Sequence, residues 1–334
     1  MTDYTSRLDV LWCPQCHADL TYDANEPAYH CTGCGGHYPI INGVPRFANV
    51  PQEAHVERTV QNFGKQWQQS NTTVQSTRLG QKDLFLDFIH PVQPEHFTGK
   101  LVLDGGCGQG RFTQVAQQFG AGRVLGVDLS AAVEVAAANT AAMDNVLIIQ
   151  ADLLKLPVRP VVDYAFSVGV LHHTADPAGS FASVAGTVKP DGTMSAWVYG
   201  RENNGWIIHV LDPIRINVTS RLPNAVLWGI SYLLAAILYV MVTVIYLPVE
   251  NNPRLHGLRR FLFYPDYLLW LRQHAGYRET ALVVFDHLTP QIAEYIPRDE
   301  FETWFVNNHF TDRVITPKAN NSWRGFARKV TGPV

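Results

Sequence analysis

Short apolar runs broken by glycine and acidic residues dominate the middle of the chain. Leu101–Leu103 reads as a buried strand ending at Asp104, and VLGVDLS (124–130) reads as a second strand ending at Asp128. Uninterrupted runs of this length fit strands covered on both faces, as in a parallel sheet. The stretch 131–142, AAVEVAAANTAA, is rich in the strongest helix former and predicts the helix that follows the second strand. Upstream, FGKQWQQ (63–69) and KDLFLDFIH (82–90) place apolar residues at helical intervals. Such helices would either cap a ligand site from the N-terminal side or serve packing alone. Residues 48–60 turn polar around Pro51, as a linker would. After Tyr199 the alternation of strand and helix signals stops, and Pro223 to Val249 carries no charged residue.

The segment LVLDGGCGQGRF (101–112) sets Gly106, Gly108 and Gly110 at alternate positions. Glycine takes positive φ without strain and lets a ligand come close to the backbone. A strand, a Gly-rich turn and a helix start together point to a nucleotide-type ligand at the carboxyl edge of a parallel sheet. The third glycine of the dinucleotide fingerprint would fall at Arg111, so the NAD pattern fails. A carboxylate at the end of the second strand, here Asp128, suits the two hydroxyls of a ribose.

Further segments follow in a fixed order: QADLLKLP (150–157), VDYAFSVGVLHH (162–173), VKPDGTMSAWVY (188–199), PRDEFETWFVNNHF (297–310), RVITPK (313–318) and WRGFARKV (323–330). With the glycine loop and the Asp128 strand, this series resembles the class I S-adenosylmethionine (SAM) dependent methyltransferases of the type 11 kind, across residues 98–200 and 285–330. The resemblance implies an α/β fold, a Rossmann-like doubly wound seven-stranded sheet, with SAM as cofactor. Gly106, Gly108 and Gly110 would shape the loop around its methionyl part, together with Gly105 and Cys107. Asp104 would face its amino group, Asp128 the ribose and Asp152 the adenine amino group, with Leu129 a further candidate cofactor contact. Leu153 would supply a backbone contact, and Ser167 is a further candidate cofactor contact. Cys107 itself reads as a small buried filler rather than a nucleophile. A nucleotide-binding fold holding another ligand stays open beside this reading.

Composition adds bounds. The 334 residues are 46% hydrophobic, enough for a sizeable core. The net charge of −3 gives the whole chain no bias toward nucleic acid. The first residues, MTDYTSRLDV, carry no apolar signal core, so a cytoplasmic location is expected. Of five cysteines, four form CPQC, fourteen residues, then CTGC, at Cys13, Cys16, Cys31 and Cys34. Two such knuckles fit a tetrahedral zinc site, and disulfides do not suit a chain without an export signal. Four thiolates leave no open position, so the zinc would be structural. His17, His30 and His37 are surplus and read as surface residues. With GGHYPIINGVPRF (35–47), the region resembles the zinc-ribbon modules of the Trm112 family, which serve as methyltransferase partners; here the module would be fused in cis. It has too little core to fold without metal.

The expected organisation is a zinc ribbon at 1–50, a linker with cap helices at 51–97, and the methyltransferase domain at 98–334 with a helical insertion at 200–285. On a helix through 223–249, Trp228, Tyr232, Tyr239, Thr243 and Tyr246 share one narrow sector, and Ile230, Ile237 and Val244 lie opposite. The length suits a membrane span, but a span between the core and its last strands would divide one sheet across a membrane. A lid over the acceptor site is the preferred expectation. A helix resting in a membrane interface near Arg254, Arg259 and Arg260 is the other.

Methyl transfer from a sulfonium is an in-line displacement in which the protein mainly positions and excludes water. A general base helps if the acceptor is a hydroxyl. His172, ahead of His173, is the candidate base in the loop after the fourth strand, with Asp286 and Tyr295 as further candidate catalytic residues beside His287. That loop reads SVGVLHH, unlike the Asn/Asp-Pro-Pro-aromatic motif of enzymes acting on exocyclic amines of bases. The expected acceptor is a small or amphipathic molecule methylated on oxygen or nitrogen, with nucleic acid an unfavoured partner. An RNA methyltransferase and a non-catalytic SAM-binding scaffold are the competing readings.

Overall fold

A computed structural model describes residues 4–48, 80–289 and 292–331. FGKQWQQ (63–69) and most of the expected linker lie outside the described residues.

Seven strands form one sheet: β5 (Leu101–Gly105), β6 (Arg123–Asp128), β7 (Val146–Gln150), β8 (Val162–Val168), β9 (Val188–Tyr199), β10 (Phe310–Lys318) and β11 (Ser322–Lys329), in the order β10-β11-β9-β8-β5-β6-β7. The five strands from β5 to β9 pair in parallel, and β11 runs antiparallel between β9 and β10. The strand period of two sends alternate side chains to opposite faces. Leu103, Leu125, Leu147 and Ile149 thus enter the core on one face, with Phe181, Val184 and Phe305. Val102, Val124, Val146 and Ile148 enter the core on the other, with Phe85, Phe97 and Phe112. Both faces are covered, which explains why these strands read as continuous apolar runs. The covering helices are α1 (Gln81–Phe88), α2 (Arg111–Gln118), α3 (Ala132–Thr140), α4 (Pro177–Thr187) and, late in the chain, Arg298–Asn307. The order changes direction between β5 and β8, where ligands enter open α/β sheets.

The N-terminal module is an antiparallel four-stranded sheet, β1 (Leu20–Asp23), β2 (Ala28–Cys31), β3 (His37–Ile41) and β4 (Val44–Pro45). It sits on the edge of the main sheet. Arg46 bridges Gln150 in parallel, and Phe47 N–H donates to the Gln150 carbonyl at 2.8 Å. Arg46 also pairs with Glu134, and Arg159 pairs with Asp19 at 2.5 Å. Leu11, Tyr29, Tyr38 and Phe47 share the core of one face of the main sheet.

The insertion leaves the sheet after Tyr199 and returns at Ile296. The two ends meet: Ile296 N–H donates to the Tyr199 carbonyl at 2.9 Å, and Arg201 N–H to the Ile296 carbonyl at 3.1 Å. Between them lie α5 (Asp212–Asn217), α6 (Asn224–Asn251, with a wide turn at Val242–Tyr246), α7 (Pro265–His274) and α8 (Tyr277–Leu288), followed by α9 (Arg298–Asn307) of the core. The last inserted helix runs past the expected boundary at 285.

Candidate active site

The glycine loop joins β5 to α2. Gly106 has φ +89°, and a Cβ there would lie 2.3 Å from a methyl of Val170, so both the backbone and the space demand glycine. Gly106 and Cys107 N–H both donate to the Val127 carbonyl, at 2.7 and 2.9 Å, which ties the loop to the end of β6. Asp128 completes this tie. Its carboxylate accepts from Gly108 N–H at 2.9 Å and from the N–H and hydroxyl of Ser130 at 2.8 and 2.7 Å. Asp152 accepts from Leu154 N–H at 2.9 Å and caps the short turn that buries Leu153. Leu129 accepts at its carbonyl from the Gln150 side chain at 2.9 Å.

Asp104 is buried, and its carboxylate accepts from the Thr113 hydroxyl at 2.6 Å. Burial pushes this carboxyl up to about 7, with the charge of Asp128 adding to the effect. A carboxyl raised from 3.8 toward 7 on folding binds its proton more tightly in the folded chain. It therefore stabilises the fold below pH 3.8, and that stabilisation is lost as pH rises through about 7. Melting of the ligand-free chain from pH 4 to 7 should show a falling Tm that Asp104→Asn flattens; an unchanged slope in the variant would refute the assignment.

Beside the loop lies a cavity of about 250 Å³. Arg111 lines it from α2, Val168 and Gly169 from the end of β8, Leu84 and Phe88 from α1, Trp197 and Tyr199 from β9. The segment 82–90 thus does contribute to capping the site. Aromatic rings crowd the walls: Phe88 and Trp197 lie 4.7 Å apart, and Tyr199 stacks with Tyr295 at 5.8 Å and with His287 at 6.0 Å. The roof comes from α7 and α8, with Tyr267, Trp270, Asp286 and His287. The helix over 223–249 supplies none of the lining, which corrects its expected role as the lid. Its inner residues pack on the roof helices instead, Leu227 against Val284, Phe285 and Leu288, and Val242 and Tyr246 against Leu268.

The structure separates the two candidate histidines of the loop. His173 lines the cavity, and its Nδ1 meets the Ile292 carbonyl at 2.7 Å. A carbonyl only accepts, so Nδ1 carries the proton and Nε2 is the basic nitrogen. Burial, with the charge of Arg215 behind it, holds this imidazole down at about 4. His172 is fully buried under Tyr199, 4.0 Å between ring centroids, and does not line the cavity. Of the two candidates the cavity is lined by His173 and not by His172, although their rings are packed together, 4.3 Å between centroids. Asp286 and Tyr295 both line the cavity, and Tyr267 and His287 Nε2 share a hydrogen bond at 3.1 Å. Ser167 is placed differently from the expectation. It is fully buried and donates to the Gly105 carbonyl at 2.7 Å, bracing the base of the loop instead of facing the cleft.

Sequence reasoning missed three groups. Arg111 faces the cavity directly after the third glycine, a position that signalled it. Asp212 and Arg215 pair at 3.1 Å, with Arg215 only 1% exposed, beside Tyr295. An Asp-x-x-Arg inside the apolar stretch HVLDPIRINV was the available signal. Lys318 pairs with Asp87 and lies 3.8 Å over the Trp270 ring, which holds the roof against the last strands.

In the N-terminal module the sulfurs of Cys13, Cys16, Cys31 and Cys34 all lie within 4.8 Å of one another, and none is in a disulfide. Zn–S bonds of about 2.3 Å in a tetrahedron place sulfurs roughly 3.8 Å apart, so the set fits zinc. Gly33 and Cys34 N–H point at the Cys31 sulfur, at 3.3 and 3.4 Å. His17, His30 and His37 stand outside the cluster, His17 stacked on Trp12 at 4.2 Å.

Residues 103–196 match a family model described as a methyltransferase domain, and residues 7–43 match one described as Trm112p-like protein. A tRNA U34 carboxymethyltransferase of Ruthia magnifica subsp. Calyptogena magnifica is 33% identical over 99 residues, 28% of this chain and 31% of that protein. The chain thus spans less than a third of the length of this curated relative. Among solved structures, a complex of the Haloferax volcanii Trm112 methyltransferase activator with a methyltransferase covers 81% of this chain and 98% of its own, at 16% identity and TM-score 0.46. Human N-acetylserotonin methyltransferase with SAM covers 84% of this chain and 61% of its own, at 14% identity and TM-score 0.46. The chain carries a class I SAM-dependent methyltransferase domain of the type 11 kind, fused behind a Trm112-like zinc ribbon.

Proposed function

We propose that this chain transfers a methyl group from SAM to a nucleobase of an RNA, drawn out of its stack into the aromatic cavity. The observation that carries the reading is the cavity itself, walled by Phe88, Trp197, Tyr199 and Trp270 and reaching Arg111, the residue that follows the glycine loop. Flat rings of this kind hold an unstacked base by its faces, whatever the charge of the chain as a whole. A base inside a helix is out of reach, so the acceptor must be single-stranded or flipped. The similarity to a tRNA-modifying enzyme supports the same class of acceptor. It overturns the expectation of a small-molecule or amphipathic partner with nucleic acid disfavoured. That expectation rested on a net charge of −3, a charge-free insertion and the lack of a large cluster of Lys and Arg, none of which describes the mouth of one cavity.

SAM, when bound, supplies an activated methyl group. Asp104 would take its amino group, Asp128 its ribose and Asp152 its adenine, while the loop from Gly105 to Gly110 lies along the methionyl part. The buried Asp104 carboxyl fits a cationic ligand, which would draw it into the charged form. The roof helices exclude water. His173 Nε2 would remove a proton from the acceptor, with Asp286, Tyr295 and the Tyr267–His287 pair around it. The loop SVGVLHH directs the transfer away from exocyclic amines.

The test uses labelled SAM and bulk tRNA from cells lacking the chain. Label should enter RNA with the intact protein. His173→Gln should lower kcat roughly 10²–10⁴-fold while leaving S-adenosylhomocysteine affinity unchanged. The acid limb of kcat should lie near 4, below the roughly 6.5 of an ordinary imidazole. No incorporation into tRNA or ribosomal RNA by protein that binds the cofactor would refute the RNA acceptor.

A further inference from the structure

We propose that the outward face of α6 and the basic–aromatic loop after it dock on the surface of an anionic lipid bilayer. The face is defined by what it leaves uncovered. Val226, Leu233, Ile237, Val240 and Val244 recur at spacings of seven, four, three and four residues, so they form one straight stripe. Leu233 is 64% exposed and Val244 65%. Of the semi-polar stripe on the same helix, Trp228, Tyr239 and Tyr246 turn toward the protein, while Tyr232 and Thr243 stay exposed. Trp228 stacks on Phe285 at 4.3 Å, the Tyr246 hydroxyl donates to the Phe263 carbonyl at 2.7 Å, and Arg272 lies 4.2 Å over Tyr239. A helix serving only a soluble lid would turn these faces the other way, with tyrosines to water and aliphatics to protein.

The helix has 28 residues, and only 22% of its most apolar window is buried within the protein. A core helix of the same hydropathy would be mostly covered, and a signal sequence would stand near the N-terminus. The loop that follows extends the surface. Leu258 and Phe263 are exposed, Phe261 is 72% exposed, and Arg254 and Arg260 are exposed beside them. Arg259 is committed to Glu250 and Asp266; Arg254 and Arg260 make no ion pair among the described residues. Aliphatic area with aromatic residues and free cations at one end is the chemistry of an interfacial element on anionic headgroups. The chain after α6 re-enters the sheet through β10 and β11, beside β9. The helix therefore lies on the membrane without crossing it.

The experiment is co-sedimentation with vesicles of phosphatidylcholine alone and with added phosphatidylglycerol. The intact chain should sediment with the anionic vesicles and less with the neutral ones. The triple variant Ile237→Glu, Val240→Glu, Val244→Glu should stay in the supernatant while binding S-adenosylhomocysteine as the parent does, since these side chains are mostly exposed and belong to none of the buried clusters. Arg254→Gln with Arg260→Gln should weaken binding roughly 25-fold, about fivefold for each cation near an anionic surface. Failure of the parent to sediment with anionic vesicles would overturn the proposal, as would undiminished sedimentation of the triple variant. A parent dimer that the triple variant returns to monomer, without vesicle binding, would assign the face to a second copy instead.

Discussion

Asp128→Ala is expected to abolish measurable binding of S-adenosylhomocysteine. In the structure this one carboxylate gathers Gly108 N–H and both donors of Ser130, so it fixes the glycine loop against the end of β6, and in the proposed complex it would also accept from the ribose. Hydrogen bonds to a charged group contribute about 1.5–3 kcal/mol each. Losing the two that a ribose would make corresponds to a drop in affinity of roughly 100-fold or more, and the loosened loop adds to it. Asp128→Asn keeps one acceptor oxygen and should fall between. Calorimetric titration of the three proteins gives the answer directly. Equal affinities would show that Asp128 serves the loop alone and that the ribose is held elsewhere.

Cys31→Ser, or removal of zinc with a chelator, should unfold the N-terminal module. Thiolate sites of this kind supply about 10–16 kcal/mol to small domains, far more than the four short strands here can replace by packing. The consequence reaches further than the module. Leu11, Tyr29, Tyr38 and Phe47 are part of the core on one face of the main sheet, and Phe47 pairs with the edge strand β7 at Gln150. Loss of metal should therefore lower the Tm of the methyltransferase domain too and expose that edge. Zinc content, thermal melts and light scattering of the variant test this together. A variant that loses zinc yet melts at the parent's temperature would refute the coupling.

The parts of this molecule legible in its sequence are those where a local rule and the global fold agree. Val102, Val124 and Val146 alternate with Leu103, Leu125 and Leu147 in strands covered on both sides, so their runs could be read without knowing the partners. The cysteines declared themselves by spacing, and Asp104, Asp128 and Asp152 by standing where strands end. What stayed hidden depends on tertiary direction. His172 and His173 are chemically identical neighbours, and only the fold decides that one faces the cavity and the other Tyr199. Ser167 has the right residue type, but the strand's alternation turns it inward. The helix over 223–249 displayed two faces clearly, yet nothing in the sequence said which face the protein would cover. Arg215 was hidden for a related reason: a lone pair of charges among apolar residues reads as surface until the surrounding helices close over it.

The junction of the insertion carries one more implication. Because Tyr199 and Ile296 are hydrogen-bonded neighbours, the residues inserted between them leave and rejoin the sheet at one place. Swapping that block for another of different length would leave the pairing of β9 with β11, and the three acidic strand ends, where they are. The roof of the cavity is in that sense a detachable cassette, free to diverge while the walls supplied by the sheet and its glycine loop stay in place.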